Sequence, residues 1–93
     1  MAERKILLDS TLDSVEVAET AVLGAAREIG FDEDDLHQLG MAVRESMVNA
    51  VVHGNRYNAR KKVHLSVTKA PDRLTIVIAD EATASIRIRC RIR

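Results

Sequence analysis

Apolar residues recur along this chain in two helical stretches and in several short strand-like runs. Val15, Ala18, Val22, Ala25, Ala26 and Ile29 share one face at spacings of three and four, which predicts an amphipathic helix. Ser14 stands where an N-terminal cap belongs, and Gly30 stands where the helix must stop. Asp32, followed three residues later by Asp35, resembles an acidic capping box and predicts a second helix from about Glu33 to His53 or Gly54. Its inward stripe is Leu36, Leu39, Val43, Met47, Ala50 and Gly54. Lys5 to Leu8 is a short apolar run and reads as a first strand. Val63 to Thr68 and Arg73 to Ala79 alternate with a period of two, and Pro71 and Asp72 between them predict a hairpin turn.

The order β-α-α-β-β predicts an α+β fold, a two-layer sandwich with two helices on one face of a mainly antiparallel sheet. The end of the chain adds to it. Ile86, Ile88, Cys90 and Ile92 alternate with Arg87, Arg89, Arg91 and Arg93, so a C-terminal strand is expected. A lone amphipathic strand exposes its backbone groups and an apolar row, so this one is expected to dock on an open sheet edge. That edge can belong to its own chain or to a second copy, and a homodimer or strand-exchanged assembly is expected.

Composition sets limits on this picture. Ninety-three residues make one small domain with a thin stability margin. Phe31 and Tyr57 are its aromatic residues, so the core must be built from Val, Ile, Leu, Ala and Met. No apolar run is long enough to span a membrane, and the start MAERKILLDS lacks the apolar stretch of a secretion signal. One cysteine, Cys90, excludes an internal disulfide and fits a reducing compartment, so a cytoplasmic location is expected. His37, His53 and His64 are too scattered to make a metal motif with it. The zero net charge hides four arginines and no acid from Thr83 onward, on an acidic body. Without aromatic partners these arginines are a weak nucleic-acid signal, and no nucleic-acid partner is expected.

The second helix carries the candidate chemistry. In RESMVNAVVHGN, residues 44–55, Glu45, Asn49 and His53 recur every four residues on the side away from the inward stripe. Met41, Ala42, Val48 and Val52 lie among them. A mostly apolar face with a few polar groups at one-turn spacing resembles a pocket wall. A carboxylate and an amide at i and i+4 point the same way and suit a hard cation or its waters. The carboxylate is equally placed to take a proton from an attacking hydroxyl or water. An exposed Glu-Asn pair that merely aids solubility is the plain alternative.

RESMVNAVVHGNRYN, a basic loop and then LTIVIADE resemble the ATPase domain shared by histidine kinases and gyrase, the GHKL superfamily. Within it the chain is most similar to bacterial anti-sigma factors that are serine/threonine kinases. The E-x-x-x-N-A-x-x-H-G stretch is their N-box. The resemblance covers residues 1 to about 81 and implies an incomplete Bergerat-type fold. It implies that Asn49 coordinates magnesium bridging the ATP phosphates, that Glu45 is the general base and that Asp80 accepts a hydrogen bond from the adenine amino group. His53 closes the nucleotide-binding motif. It further implies a sigma factor and an anti-anti-sigma protein as partners.

The resemblance breaks after Asp80. Ala82 and Ala84 stand where the family's D-x-G-x-G wants glycine, and the lid and second glycine-rich loop have no counterpart. The expected division is therefore 1–82, a partial ATPase domain, and 83–93, an aberrant basic tail. A coding stretch for D-E-G-D-G-F-D-P-D-P-V-P-D-P, with suitable codons and one guanine deleted after the second, translates as D-E-A-T-A-S-I-R-I-R-C-R-I-R. That is this sequence from Asp80 to Arg93. A frameshift is the expected origin and a divergent tail the alternative; the coding DNA, read in the neighbouring frame, separates them. The expected function is an anti-sigma regulator impaired in catalysis and in ATP binding. A non-catalytic protein-binding or dimerisation module is the alternative.

Overall fold

The computed structural model describes residues 2–56, 58, 60–81 and 85–91. Strand β1 (Ala2–Asp9) is followed by helices α1 (Asp13–Glu28) and α2 (Glu33–Val48), and a π-helical segment (Asn49–Gly54) extends α2. Strands β2 (Lys62–Ala70), β3 (Arg73–Ala79) and β4 (Ser85–Arg91) complete the chain. The four strands form one antiparallel sheet in the order β1-β2-β3-β4. This is the expected α+β arrangement, with the C-terminal strand docked on β3 of its own chain. Ile92 and Arg93, at the end of the alternating pattern, lie outside the described residues, as do Ala82 and Ala84.

The strand period of two decides the layers. Leu8, Val63, Leu65, Val67, Leu74, Ile76 and Ile78 are buried on one face, and Ile88 and Cys90 pack partly against them. Val15, Ala18, Val22 and Ala26 of α1 and Leu36, Leu39, Val43 and Met47 of α2 close the same core. The opposite sheet face is open: Leu7, His64, Arg87 and Arg89 are exposed. Arg44 of α2 reaches Glu19 of α1 at 2.7 Å and joins the helices at their outer surface.

The helix ends follow from their sequences, with one correction. Asp32 is the N-cap of α2, extended at φ −80° and ψ 173°, and its side chain accepts the Asp35 N–H at 2.8 Å. Gly30 has φ +97°, a left-handed conformation that glycine adopts without strain. It lets Gly30 N–H reach Arg27 C=O and Phe31 N–H reach Ala26 C=O, a Schellman closure. Ser14, by contrast, does not cap α1. It is buried inside the first turn, where its N–H donates to Thr11 C=O at 3.1 Å. Leu12 precedes the helix with φ −66° and ψ −23°, so the backbone is already helical before Ser14 and leaves it no extended cap geometry.

Glu28 and Cys90 have shifted acidities. A hydrogen bond from Lys69, 2.5 Å away, and the charge of the same lysine hold the Glu28 carboxyl below its usual value. Burial against the core pushes the Cys90 thiol up, and the charge of Asp35 adds to it.

Candidate functional site

The last turn of α2 presents Glu45 to solvent, and Asn49 follows one turn later, also exposed. The main chain holds this pair in register, because the Asn49 N–H donates to the Glu45 and Ser46 carbonyls. Among the described residues, the side chains of Glu45 and Asn49 make no hydrogen bond or ion pair. Both are therefore oxygen donors free for a ligand. Their backs are the core: Ser46, Met47, Ala50 and Val51 are buried.

From Asn49 the helix widens. Asn55 N–H donates to Ala50 C=O, five residues back, at 2.8 Å, the signature of a π-helical turn. Such turns are uncommon and occur often at functional sites. Each residue turns the backbone less than in an α-helix, so His53 does not stand directly over Asn49 as the α-helical spacing implied. His53 is exposed.

Asp80 follows directly on β3 and is half-buried. Its neighbour Glu81 ties it to the end of the π-helical segment. Glu81 N–H donates to Asn55 Oδ1 at 3.0 Å, and Asn55 Nδ2 donates to Lys62 C=O at 3.0 Å. The Glu81 carboxylate accepts the Lys62 N–H and lies 4.0 Å from His64 Nε2. The structure thus connects Asp80 to the helix carrying Glu45, Asn49 and His53 through a buried corner that sequence reasoning missed. Asn55 is 1% exposed. The sequence signal was small: one asparagine directly after His53 and Gly54, in a stretch that reads as a loop.

Among the described residues, four well-formed clefts are lined by residues other than Glu45, Asn49, His53 and Asp80. One of about 320 Å³ separates β1 from α1, and another of about 380 Å³ separates α2 from β4. Met41 and Val48, on the polar stripe's side of α2, are 60% and 37% exposed. The stripe thus lies on an open face. Among the described residues no three His, Cys, Asp or Glu side chains cluster as metal ligands.

The sequence profile of the histidine kinase-like ATPase domain matches residues 8–90, from the end of β1 into β4. The chain belongs to this family. It is similar to the serine-protein kinase RsbW of Bacillus velezensis, 35% identical over 69 residues, which are 72% of this chain and 42% of that protein. The serine-protein kinase RsbW of Bacillus licheniformis is 34% identical over 58 residues, or 62% of this chain and 36% of that protein. That of Bacillus subtilis is 33% identical over 58 residues. The chain spans less than half the length of these relatives. As a member of an ATPase-domain family it carries Glu45, Asn49, His53 and Asp80 all within the matched span.

Proposed function

We propose that this chain is an anti-sigma regulatory factor built on a serine/threonine-kinase scaffold, one that holds a sigma factor and an anti-anti-sigma protein but transfers phosphate poorly or not at all. The observation that carries this reading is the exposed Glu45–Asn49 pair, one helical turn apart, on a helix whose end Asn55 bonds to Glu81, the neighbour of Asp80. Similarity to serine-protein kinases of the RsbW type supports it. In this reading Glu45 is the general base, Asn49 faces the phosphates, Asp80 faces the adenine amino group and His53 flanks the nucleotide.

Magnesium fits the donor set, because hard cations take oxygen ligands and this face offers an amide and a carboxylate oxygen. Asn49 would hold it together with phosphate oxygens and water. Bound there, magnesium would neutralise phosphate charge. The impairment lies beyond Asp80. Ala82 and Ala84 replace the glycines that let a backbone approach a nucleotide closely, and β4 (Ser85–Arg91) takes over the edge of β3. ATP binding is accordingly absent or no tighter than about millimolar, roughly 4 kcal/mol. The division into an ATPase part, 1–82, and a tail, 83–93, belongs to the same reading, as does a cytoplasmic site of action.

Two assays with purified components test the proposal. The chain is titrated with sigma factors and anti-anti-sigma proteins of its own host by fluorescence anisotropy, and phosphate transfer from labelled ATP to the anti-anti-sigma protein is followed in parallel. Binding without transfer is expected. No binding to either class of protein refutes the anti-sigma reading, and efficient transfer refutes the impairment.

A second reading, a non-catalytic binding or dimerisation module that needs no nucleotide, draws on the exposed Met41 and Val48 beside the stripe. They would lie in a protein contact, with Glu45 and Asn49 at its rim.

A further inference from the structure

Three hydrogen bonds close a ring among residues far apart in sequence. Asn55 Nδ2 donates to Lys62 C=O, Lys62 N–H donates to the Glu81 carboxylate, and Glu81 N–H donates to Asn55 Oδ1. Each residue bonds to both of the others, and each comes from a different segment: the end of the π-helical segment, the start of β2 and the exit of β3. The main chain of Asn55 is engaged as well. Its N–H reaches Ala50 C=O and its C=O accepts Asn58 N–H at 3.0 Å.

We infer that Asn55 is the positioning residue of this site, fixing Asp80 relative to Asn49 and His53. The inference rests on the reading of Asn49 and Asp80 as two ends of one nucleotide site. The β2–β3 ladder ends at the pair His64–Ala79, so Asp80 and Glu81 lie just beyond it. The bond from Glu81 N–H to Asn55 takes over where the ladder stops. Because consecutive Cα atoms are about 3.8 Å apart, a clamped Glu81 leaves Asp80 little freedom. At its other end the main chain of Asn55 closes the π-helical segment that begins at Asn49, so one residue joins both ends of the site: its backbone at the helix and its side chain at Glu81.

The chemistry selects asparagine. The position is buried, needs one donor and one acceptor at short reach, and cannot cheaply hold a charge. Aspartate lacks the donor and glutamine is one methylene too long. Glu81, though exposed, contributes a carboxylate to the ring as well as its N–H.

Amide hydrogen exchange on the whole chain tests the ring. In the wild type the Glu81 N–H should exchange on the order of tenfold or more below the free-amide rate, although its residue is exposed. A freely exchanging Glu81 amide overturns the inference with no variant needed. Asn55→Ala should release Glu81 while the Leu65 and Ile76 amides keep their protection; equal acceleration of all three makes Asn55 a general support of the fold and also overturns it. In a second arm, magnesium–ATP at millimolar concentration is added and NMR signals are followed. The Asn49 and Asp80 signals should shift together in the wild type, and Asn55→Ala should lose the shift at Asp80 alone. Coupled shifts retained in the variant overturn the inference. No shift at either residue in the wild type means that ATP binding is lost altogether, one of the two outcomes of the impaired reading, and the exchange arm then decides alone whether Asn55 holds Asp80.

Discussion

Glu45 and Asn49 were legible because spacing alone places side chains on a helix. A residue pair at i and i+4 points one way whatever the rest of the chain does, and the fold leaves both exposed with buried neighbours behind them. Asn55 was not legible. Its side-chain partners are backbone atoms seven and 26 residues away, and no pattern of residue types announces a bond to a distant peptide group. The two asparagines should therefore respond oppositely to truncation. Asn49→Ala should change stability by no more than about 0.5 kcal/mol, since the amide is exposed and away from the core. Urea unfolding of variant and wild type measures this. A loss beyond about 2 kcal/mol would mean that Asn49 is a buried structural group and would remove it from the site.

Helix and strand positions followed from their periods. The inward stripe Leu36, Leu39, Val43, Met47 and Ala50 is buried against Val63, Leu65, Leu74, Ile76 and Ile78, as alternation and helical spacing imply. What the pattern did not carry was hydrogen-bond register. The switch from α- to π-helical bonding after Val48 uses the same residue types as the α-helix, so the stripe looked continuous through His53. The tail is an element whose shape was legible but whose partner was open, because an edge in the same chain and an edge in a second copy offer the same peptide groups. It pairs along β3 from Ala79–Ser85 to Arg73–Arg91. Ending the chain at residue 82 should cost about 2 kcal/mol, the contribution of isoleucines that are half-buried against the core. Light scattering of the full and shortened chains tests whether the tail also exchanges between copies. A dimer only with the tail is expected, and a monomer of unchanged state in both overturns that assembly.

At the scale of the whole molecule, the sheet is a simple meander everywhere except at one joint. Three strands, β2 to β4, follow one another through short connections, whereas β1 meets β2 only after both helices. Asp9 and Lys62, whose side chains form an ion pair at 2.5 Å, are 53 residues apart. Closing so long a loop carries an entropy cost that neighbouring strands avoid, and non-local pairing slows folding. β1 is made before β2 and must wait for it, so it is expected to be the last strand seated. Pulse-labelled amide exchange during refolding should show Ile76 and Val67 protected before Leu7, and earlier or simultaneous protection of Leu7 would reverse the order. A chain caught before that final step would present β2 as a bare edge, so the interval between synthesis and seating of the first strand is when this protein is most exposed to pairing with the wrong molecule.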